Sequence, residues 1–546
     1  MSKLKEQTSS VTQYNQLKSL TGTRVMDKHS RNNLCIRITF IAGVLLLVFG
    51  TALMLGHNML FDFFLKRELA LAPGSSSYKV WRETPVPMSI EFYFFNWTNP
   101  LNYSTEKPKL VEVGPYTFRE RHKKVNITWN SNGTVSYRRV RMWHFDHENS
   151  NGFLDDRIQT LNPVALTAAT TVRDWSKFFQ MSLSVALKQT SQKVYVVKTV
   201  NELLFKGYSD RLLDIARQMP KFGGVKVPFD KFGWFYTRNG SAHYDGFYNM
   251  DTGNNDINQL GKLRNWNYNN ETTFYDYECS GVKGSAGEFW PPHQRRDTPL
   301  TMFSADLCRS VSFNYFEDRA VHGIDGYTYS MDEYVVDNGT LRPENECFCN
   351  GQCSPSGVIN VTSCRYGAPA FVSYPHFFLA DPYYSNAVEG MNPDPKKHRF
   401  YITMEPRTGI PLDVAARLQI NLLLQTLEGI GPFHDTPYIY FPMMWFNQRA
   451  TMSSEMAAGL KFVLQLPTLM VTGASVLMGV GLLFIVLWLV IIFFTASKDD
   501  MYKKNLTVVH LDKKDKNYEM RVCQPLINAS NGLSINSEQK APSDTT

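Results

Sequence analysis

Six cysteines fall between positions 279 and 364: Cys279, Cys308, Cys347, Cys349, Cys353 and Cys364. Thiols at that density either oxidise in pairs or hold a metal. An even, clustered set in an oxidising compartment favours three disulfides, and spacing alone leaves every pairing of the six open. The metal alternative builds on Cys347-x-Cys349-xxx-Cys353, but no histidine completes a familiar zinc spacing. His144 and His147 could share a metal only on a helix. The alternation around them predicts a strand, on which positions i and i+3 point to opposite faces. Asp251 to Asp256 (DTGNND) reads as a turn, because it lacks the glycine position and terminal glutamate of a calcium loop. No metal site is expected. Enzyme chemistry is not expected either, nor a cofactor: there is no G-x-S-x-G elbow, no G-x-x-x-x-G-K-[ST] loop and no H-E-x-x-H.

A second set of chemically marked residues fixes the compartment. Asn-x-Ser/Thr occurs at Asn96, Asn102, Asn126, Asn132, Asn239, Asn270, Asn338 and Asn360. Such sites are glycosylated only in the secretory lumen. Asn505 and Asn528 also match, but they lie beyond the last apolar stretch and are expected to stay unmodified.

Two uncharged stretches bracket these residues. No formal charge falls between Arg37 and Asp62, and the run 38–56 is long enough to cross a bilayer, which takes roughly 20 apolar residues. A second uncharged run lies between Lys461 and Lys498. Backbone in hydrocarbon must satisfy its own hydrogen bonds, so both are predicted helices. The basic excess of residues 1–37, seven Lys and Arg against Glu6 and Asp27, predicts that both tails are cytoplasmic. The first stretch is read as an uncleaved anchor, since it follows 37 polar residues and lacks a small-x-small cleavage site. The expected organisation is a tail at 1–37, a span at 38–60, an extracellular or luminal domain at 61–461, a membrane-proximal segment and second span at 462–497, and a tail at 498–546. The formal charge of +7 comes largely from the first tail and argues for no nucleic-acid partner.

Within the central domain, 89–97 (SIEFYFFNW) and 109–120 (KLVEVGPYTFRE) alternate polar and apolar residues as strands do. The segment 163–219 breaks that pattern. Pro163 suits a first helical turn, Thr199 with Glu202 makes a T-x-x-E capping box, and Asp210 precedes an apolar face of Leu212, Leu213, Ile215, Ala216 and Met219. The expected fold is mainly β with an α-helical cap.

Several strings in this domain carry a resemblance: Val113-Gly-Pro-Tyr-Thr-Phe-Arg119, Asp306-Leu-Cys-Arg-Ser310, Cys347-Phe-Cys349, Pro375-His-Phe377, Gly390-Met-Asn-Pro393, and Glu405-Pro-Arg-Thr-Gly409 with Arg417-Leu-Gln-Ile-Asn421. Their order, with two spans and a cysteine cluster, resembles the class B scavenger receptor family. The resemblance implies an irregular antiparallel β-barrel holding a lipid tunnel, a helical bundle at its membrane-distal end, and the pairing Cys279–Cys347, Cys308–Cys364 and Cys349–Cys353, with Gly351 supplying the turn of the last. Residues 163–219 look like that bundle. There Phe178, Phe179, Met181 and Leu183 lie beside Lys188 and Lys193, which suits an amphipathic anion: a carboxylate or phosphate at the cations and an acyl chain on the apolar groups.

The expected function is a plasma-membrane receptor that binds lipid, lipoprotein or polyanionic ligands at the cap, then internalises them or passes lipid toward the bilayer. The alternative is an intracellular sorting receptor for a luminal protein at endosomal or lysosomal membranes. Tyr14-Asn-Gln-Leu17 fits the Y-x-x-Φ form read by endocytic adaptors, and Pro525-Leu526-Ile527 resembles the end of a lysosomal sorting signal. Ala52-xxx-Gly56 and Ser475-xxx-Gly479 are small-xxx-small pairs that permit homo-oligomers through the spans.

Overall fold

The computed structural model describes residues 3–218 and 229–511. Chain contacts divide the protein into two units, residues 1–55 with 470–546, and residues 56–469.

The first unit is built on parts of two helices, α1 (Lys3–Leu69) and the last among the described residues (Ser454–Leu511). Their stretches Leu34–Leu69 and Ser454–Lys498 are long and apolar enough to cross a membrane. The two run against each other along a seam of small residues. A Cβ on Gly43 would lie 2.9 Å from the Gly481 carbonyl oxygen, and one on Gly50 would lie 3.0 Å from that of Ala474. Gly43 and Gly50 are seven apart, as are Ala474 and Gly481, the repeat of a left-handed helix pair. Trp488, seven residues beyond Gly481, meets Phe40 with ring centroids 4.3 Å apart. The pairs singled out by sequence are elsewhere: Gly56 and Gly479 have nothing within 4 Å of an added Cβ.

The second unit contains a 13-stranded sheet and a separate two-stranded sheet. In chain order its strands are β1 (Met88–Trp97), β2 (Leu110–Trp129), β3 (Thr134–Phe145), β4 (Arg157–Leu161), β5 (Tyr195–Thr199), β6 (Tyr248–Asp251), β7 (Leu263–Trp266), β8 (Leu300–Ser304), β9 (Arg309–Val321), β10 (Ile324–Ser330), β11 (Ile359–Asn360), β12 (Ala370–Ser373), β13 (Tyr401–Met404), β14 (Pro411–Leu424) and β15 (Ile439–Thr451). The main path runs β7-β6-β3-β2-β1-β15-β14-β13-β10-β9-β8, and all of its pairings are antiparallel. Its two edges are bridged by residues 284–285. The Leu263 N–H donates to the Gly284 carbonyl at 2.8 Å, and Ser285 exchanges backbone bonds with Thr301 and Phe303 at 3.0 and 2.8 Å. The sheet is thereby a nearly closed barrel, which leaves few unpaired edge groups. Phe92, Phe94, Phe95 and Trp97 of β1 are fully buried at its centre. Gly114 makes the bulge opposite them, where a Cβ would sit 2.6 Å from the Phe92 carbonyl oxygen.

Several residues of the strings that carry the resemblance make contacts within this barrel. Glu112 Oε2 receives bonds from His376 Nε2 at 2.6 Å and Trp445 Nε1 at 2.7 Å. The Asn392 N–H donates to His376 Nδ1 at 3.1 Å, which leaves Nε2 as the protonated nitrogen. Gln419 Oε1 accepts from the His376 backbone N–H, and the Gln419 amide donates to Asn421. Glu405 folds its own loop by accepting from the N–H groups of Arg407 and Thr408. Cys279–Cys347, Cys308–Cys364 and Cys349–Cys353 are disulfide-bonded, the pairs that the resemblance implies. Asn350 and Gly351, both at positive φ, turn the short link between the last two.

The cap departs from its expected form. Besides α1 and a short α2 (Ser76–Arg82), the helices here are α3 (Pro163–Val172), α4 (Lys177–Gln189) and α5 (Arg211–Gln218). Between α4 and α5 the chain makes β5, which pairs with β4 from Arg157↔Thr199 to Leu161↔Tyr195. Tyr195-Val-Val is a β-favouring run with a partner at hand. The capping box is present: Thr199 Oγ1 accepts the Glu202 N–H at 3.2 Å and Glu202 Oε2 accepts the Thr199 N–H at 2.9 Å. It opens the single π-turn Glu202–Lys206. Met219 lies outside the described residues.

Candidate functional site

Between the cap helices and the barrel lies a cavity of about 410 Å³, inside the usual range for small-molecule pockets, roughly 300–1,000 Å³. Its existence follows from side-chain size on α3. Asn162 caps that helix by accepting the Ala165 N–H at 3.1 Å, and Pro163 occupies its first turn. Ala165, Leu166 and Ala169 then turn to the packed core, while Thr167, Ala168 and Thr171 face the cavity. Such short side chains cannot fill the gap to the neighbouring wall. Phe179, Leu183 and Ala186 of α4, Leu212 and Leu213 of α5, and Leu418, Ile420 and Leu422 of β14 complete apolar walls.

One part of the lining is charged. Arg141, Arg238, Arg365 and Asp306 all border the cavity. Arg238 donates to Asp306 Oδ1 at 2.6 Å, Arg141 lies 3.3 Å from Asp306 Oδ2, and Arg365 donates to the Asp306 carbonyl. Behind them Asp245, 5 % exposed, accepts from Arg141 at 2.6 Å and Arg139 at 3.0 Å, with Arg238 3.6 Å away. The chain of charge continues to Glu288 and the fully buried Lys124, whose Nζ is 2.9 Å from Glu288 Oε1. Burial alone would raise the Asp306 carboxyl pKa; the Arg238, Arg141 and Arg365 guanidiniums outweigh it and hold the group well below the usual carboxylate range. The Arg238 Nε has no hydrogen-bond partner among the described residues, although the side chain is buried. The cavity therefore joins an apolar trough to an arginine-rich wall in which the Arg238 Nε is unpaired. That combination can hold an acyl chain by its length and an acidic head by its charge.

The six cap residues chosen by sequence separate. Phe179 and Leu183 line the cavity. Phe178 and Met181 are on the opposite face of α4, 72 % and 66 % exposed, and with Val185 form an apolar stripe open to solvent. Lys188 is exposed in the last turn of α4, and Lys193 lies over the Tyr195 ring, donating to its hydroxyl at 3.3 Å. Neither lysine lines the cavity. Its cations come instead from Arg141, Lys231, Arg238 and Arg365, drawn from separate parts of the sequence. One local signal pointed there: Val135, Tyr137, Arg139, Arg141 and Trp143 share a face of β3, so two arginines sit in register with core residues.

Of the sequon asparagines, Asn102, Asn126, Asn132 and Asn270 are exposed, whereas Asn96, Asn338 and Asn360 are half-buried. The Asn338 amide donates to the Ser354 carbonyl at 2.8 Å, and the exposed Asn239 is tied to both backbone groups of Trp143. Tyr14 and Leu17 fall in α1, where their side chains are not described, and Leu526 and Ile527 lie outside the described residues. His144 is in β3 and His147 begins a short 3-10 turn; among the described residues no group of three His, Cys, Asp or Glu is poised for a metal.

Known proteins resemble this chain along most of its length. The CD36 family model matches residues 41–492. Protein peste of Drosophila melanogaster is 37 % identical over 441 residues, covering 80 % of this chain and 79 % of that protein. Scavenger receptor class B member 1 of Rattus norvegicus is 33 % identical over 418 residues, 76 % of this chain and 81 % of its own length. Lysosome membrane protein 2 of Homo sapiens is 32 % identical over 460 residues, 82 % and 93 %.

Proposed function

Because this chain belongs to the CD36 family, we propose that it is a scavenger-type receptor for amphipathic anionic lipids, which takes the acyl chain into the cavity under the cap and releases it toward the bilayer or carries it inward by endocytosis. The observation that carries the reading is the joining of short-side-chain apolar walls to a buried arginine cluster with a free Nε. Movement needs no nucleotide. Each methylene kept from water is worth about 0.8 kcal/mol, so a lipid stays with the protein until it meets a carrier or a membrane. Arg238 and its neighbours bind the acidic head, and Ala168 and Leu183 lie along the chain. The reading is of a receptor rather than an enzyme.

The two apolar helices anchor it, with both tails cytoplasmic and the sequon-bearing domain outside or in the lumen. Tyr14 with Leu17, and Leu526 with Ile527, are then available to endocytic or lysosomal adaptors. The faces bearing Gly56 and Gly479 are free for a second copy.

A second reading has support of its own. The exposed stripe of Phe178, Met181 and Val185 is an apolar face fit for a luminal protein, and similarity to a lysosome membrane protein agrees with carriage to that compartment. Surface labelling followed by rapid uptake favours the lipid receptor; exclusive lysosomal residence favours the sorting receptor. Mass spectrometry of lipids that co-purify with the detergent-solubilised protein tests the lipid-receptor proposal. Long-chain fatty acids or acidic phospholipids enriched at least tenfold over a matched membrane-protein control are expected, and no enrichment would count against it.

A further inference from the structure

A second cavity, of about 770 Å³, opens beside the closure of the barrel, and no described residue lines both it and the cavity under the cap. It is more polar than the first. Arg309, the opening residue of β9, and Trp290 both line it, and each is 5 % exposed. The Arg309 Nε and the Trp290 Nε1 have no hydrogen-bond partner among the described residues. Arg309 takes part in no ion pair among them either. Its guanidinium lies 3.2 Å from the centroid of Phe348, between the disulfide-bonded Cys347 and Cys349. Burial pushes its pKa down to about 10, and the groups acting against that shift are the phenols of Tyr275 and Tyr374, not a carboxylate.

An arginine this deep is almost always paired, because a buried charge without a counter-charge costs several kcal/mol. The cavity does not supply the counter-charge. Of its acidic lining residues, Glu278 and Glu344 are exposed, and Asp332 is occupied by Asn314 and the Tyr334 N–H. Against these three stand Lys262, Lys283, Arg295 and Arg342 besides Arg309. Both orphaned groups are donors, and an indole N–H can bond only to an acceptor.

We propose that this cavity binds an oxyanion, a phosphate, sulfate or carboxylate group, with Arg309 supplying charge and paired N–H donors and Trp290 supplying a further N–H. Pro291, Pro292 and Phe348 present an apolar rim on which the organic part of a larger ligand can rest. The site is independent of the cavity under the cap. A free anion and a lipid headgroup offer the same chemistry to it.

The test titrates the full-length protein in detergent, at constant ionic strength set with chloride, using inorganic phosphate, glycerol 3-phosphate and dihexanoyl phosphatidate, with binding read by calorimetry. Saturable binding of at least one probe is expected, weakened tenfold or more by Arg309→Gln and three-fold or more by Trp290→Phe, which keeps an aromatic ring while removing the donor. Ala168→Trp, in the other cavity, should leave the binding of inorganic phosphate and glycerol 3-phosphate unchanged. Phosphatidate binding that Arg309→Gln weakens, that Ala168→Trp leaves in place and that is ten-fold tighter than phosphate would identify a lipid headgroup as the source; equal affinities at that site would identify the free anion. No saturable binding of any probe overturns the proposal. So does binding that Trp290→Phe leaves unchanged, a result that stands even if Arg309→Gln does not fold.

Discussion

Ala168→Trp is expected to reduce cellular fatty-acid uptake to a tenth or less of normal while leaving the amount of receptor at its membrane unchanged. Ala168 sits on the cavity side of α3, opposite the buried Ala165, Leu166 and Ala169. An indole there projects into open space rather than into packed core, so the fold is spared most of the ~1–3 kcal/mol that overpacking costs. The ligand is not spared. Displacing about five methylenes from the cavity forfeits ~4 kcal/mol at ~0.8 kcal/mol each, and 1.4 kcal/mol is already tenfold in an equilibrium constant. The exposed stripe of Phe178, Met181 and Val185 should be unaffected, because those side chains lie on the far face of α4. Uptake of labelled fatty acid, normalised to surface receptor, checks both statements; unchanged uptake would sink the cavity as the route.

The largest effect on stability is expected at Asp245, where Asp245→Asn should cost ~3–5 kcal/mol, the penalty for removing one partner of a buried ion pair. Its carboxylate lies within 3.6 Å of Arg139, Arg141 and Arg238. The neutral amide keeps the volume and leaves three buried guanidiniums sharing too little negative charge. Burial works to raise the Asp245 pKa, but Arg141, Arg139 and Arg238 overcome it and hold the folded-state value below the ordinary one. A carboxylate depressed in this way stabilises the fold above its unfolded pKa of about 4, and that contribution is lost as pH falls toward the folded value. Asp245→Asn should therefore lower the unfolding midpoint most at neutral pH and progressively less on acidification below about pH 4. Thermal unfolding of the purified protein at several pH values measures this. A loss below 1 kcal/mol at pH 7 would contradict the network's role.

Much of this architecture was legible in the chain because it depends on local pattern. The strand expected at 89–97 is Met88–Trp97, and that expected from 109 begins at Leu110, since each alternates against a buried face. The spans declared themselves by length. What sequence missed has a common physical origin in distance along the chain. The strand Tyr195–Thr199 lies in a helical neighbourhood and forms because Arg157–Leu161 is there to pair with it. The charged wall gathers Arg141, Arg238, Asp306 and Arg365 from separate elements, which no sequence window spans. Lys188 and Lys193 were attractive because they adjoin aromatic residues in sequence, yet their helix and loop turn them outward. The seam between the spans repeats every seven residues through Gly43 and Gly50, whereas the small-residue pairs read from sequence repeat every four. Disulfide pairing was likewise beyond spacing, and the strings that gave the resemblance divide between the two tasks: His376 and Asn392 make contacts within the barrel, whereas Asp306, Leu418 and Ile420 line the cavity.

The most direct test of the cavity as the lipid site is photo-crosslinking of the full-length protein with a fatty acid carrying a diazirine near its methyl end, followed by peptide mass spectrometry. Label is predicted on α3, α4 and β14, at positions such as Thr167, Leu183 and Ile420, and unlabelled fatty acid should compete it away. Label confined to the apolar spans, or to the exposed Phe178 and Met181 stripe, would contradict the assignment.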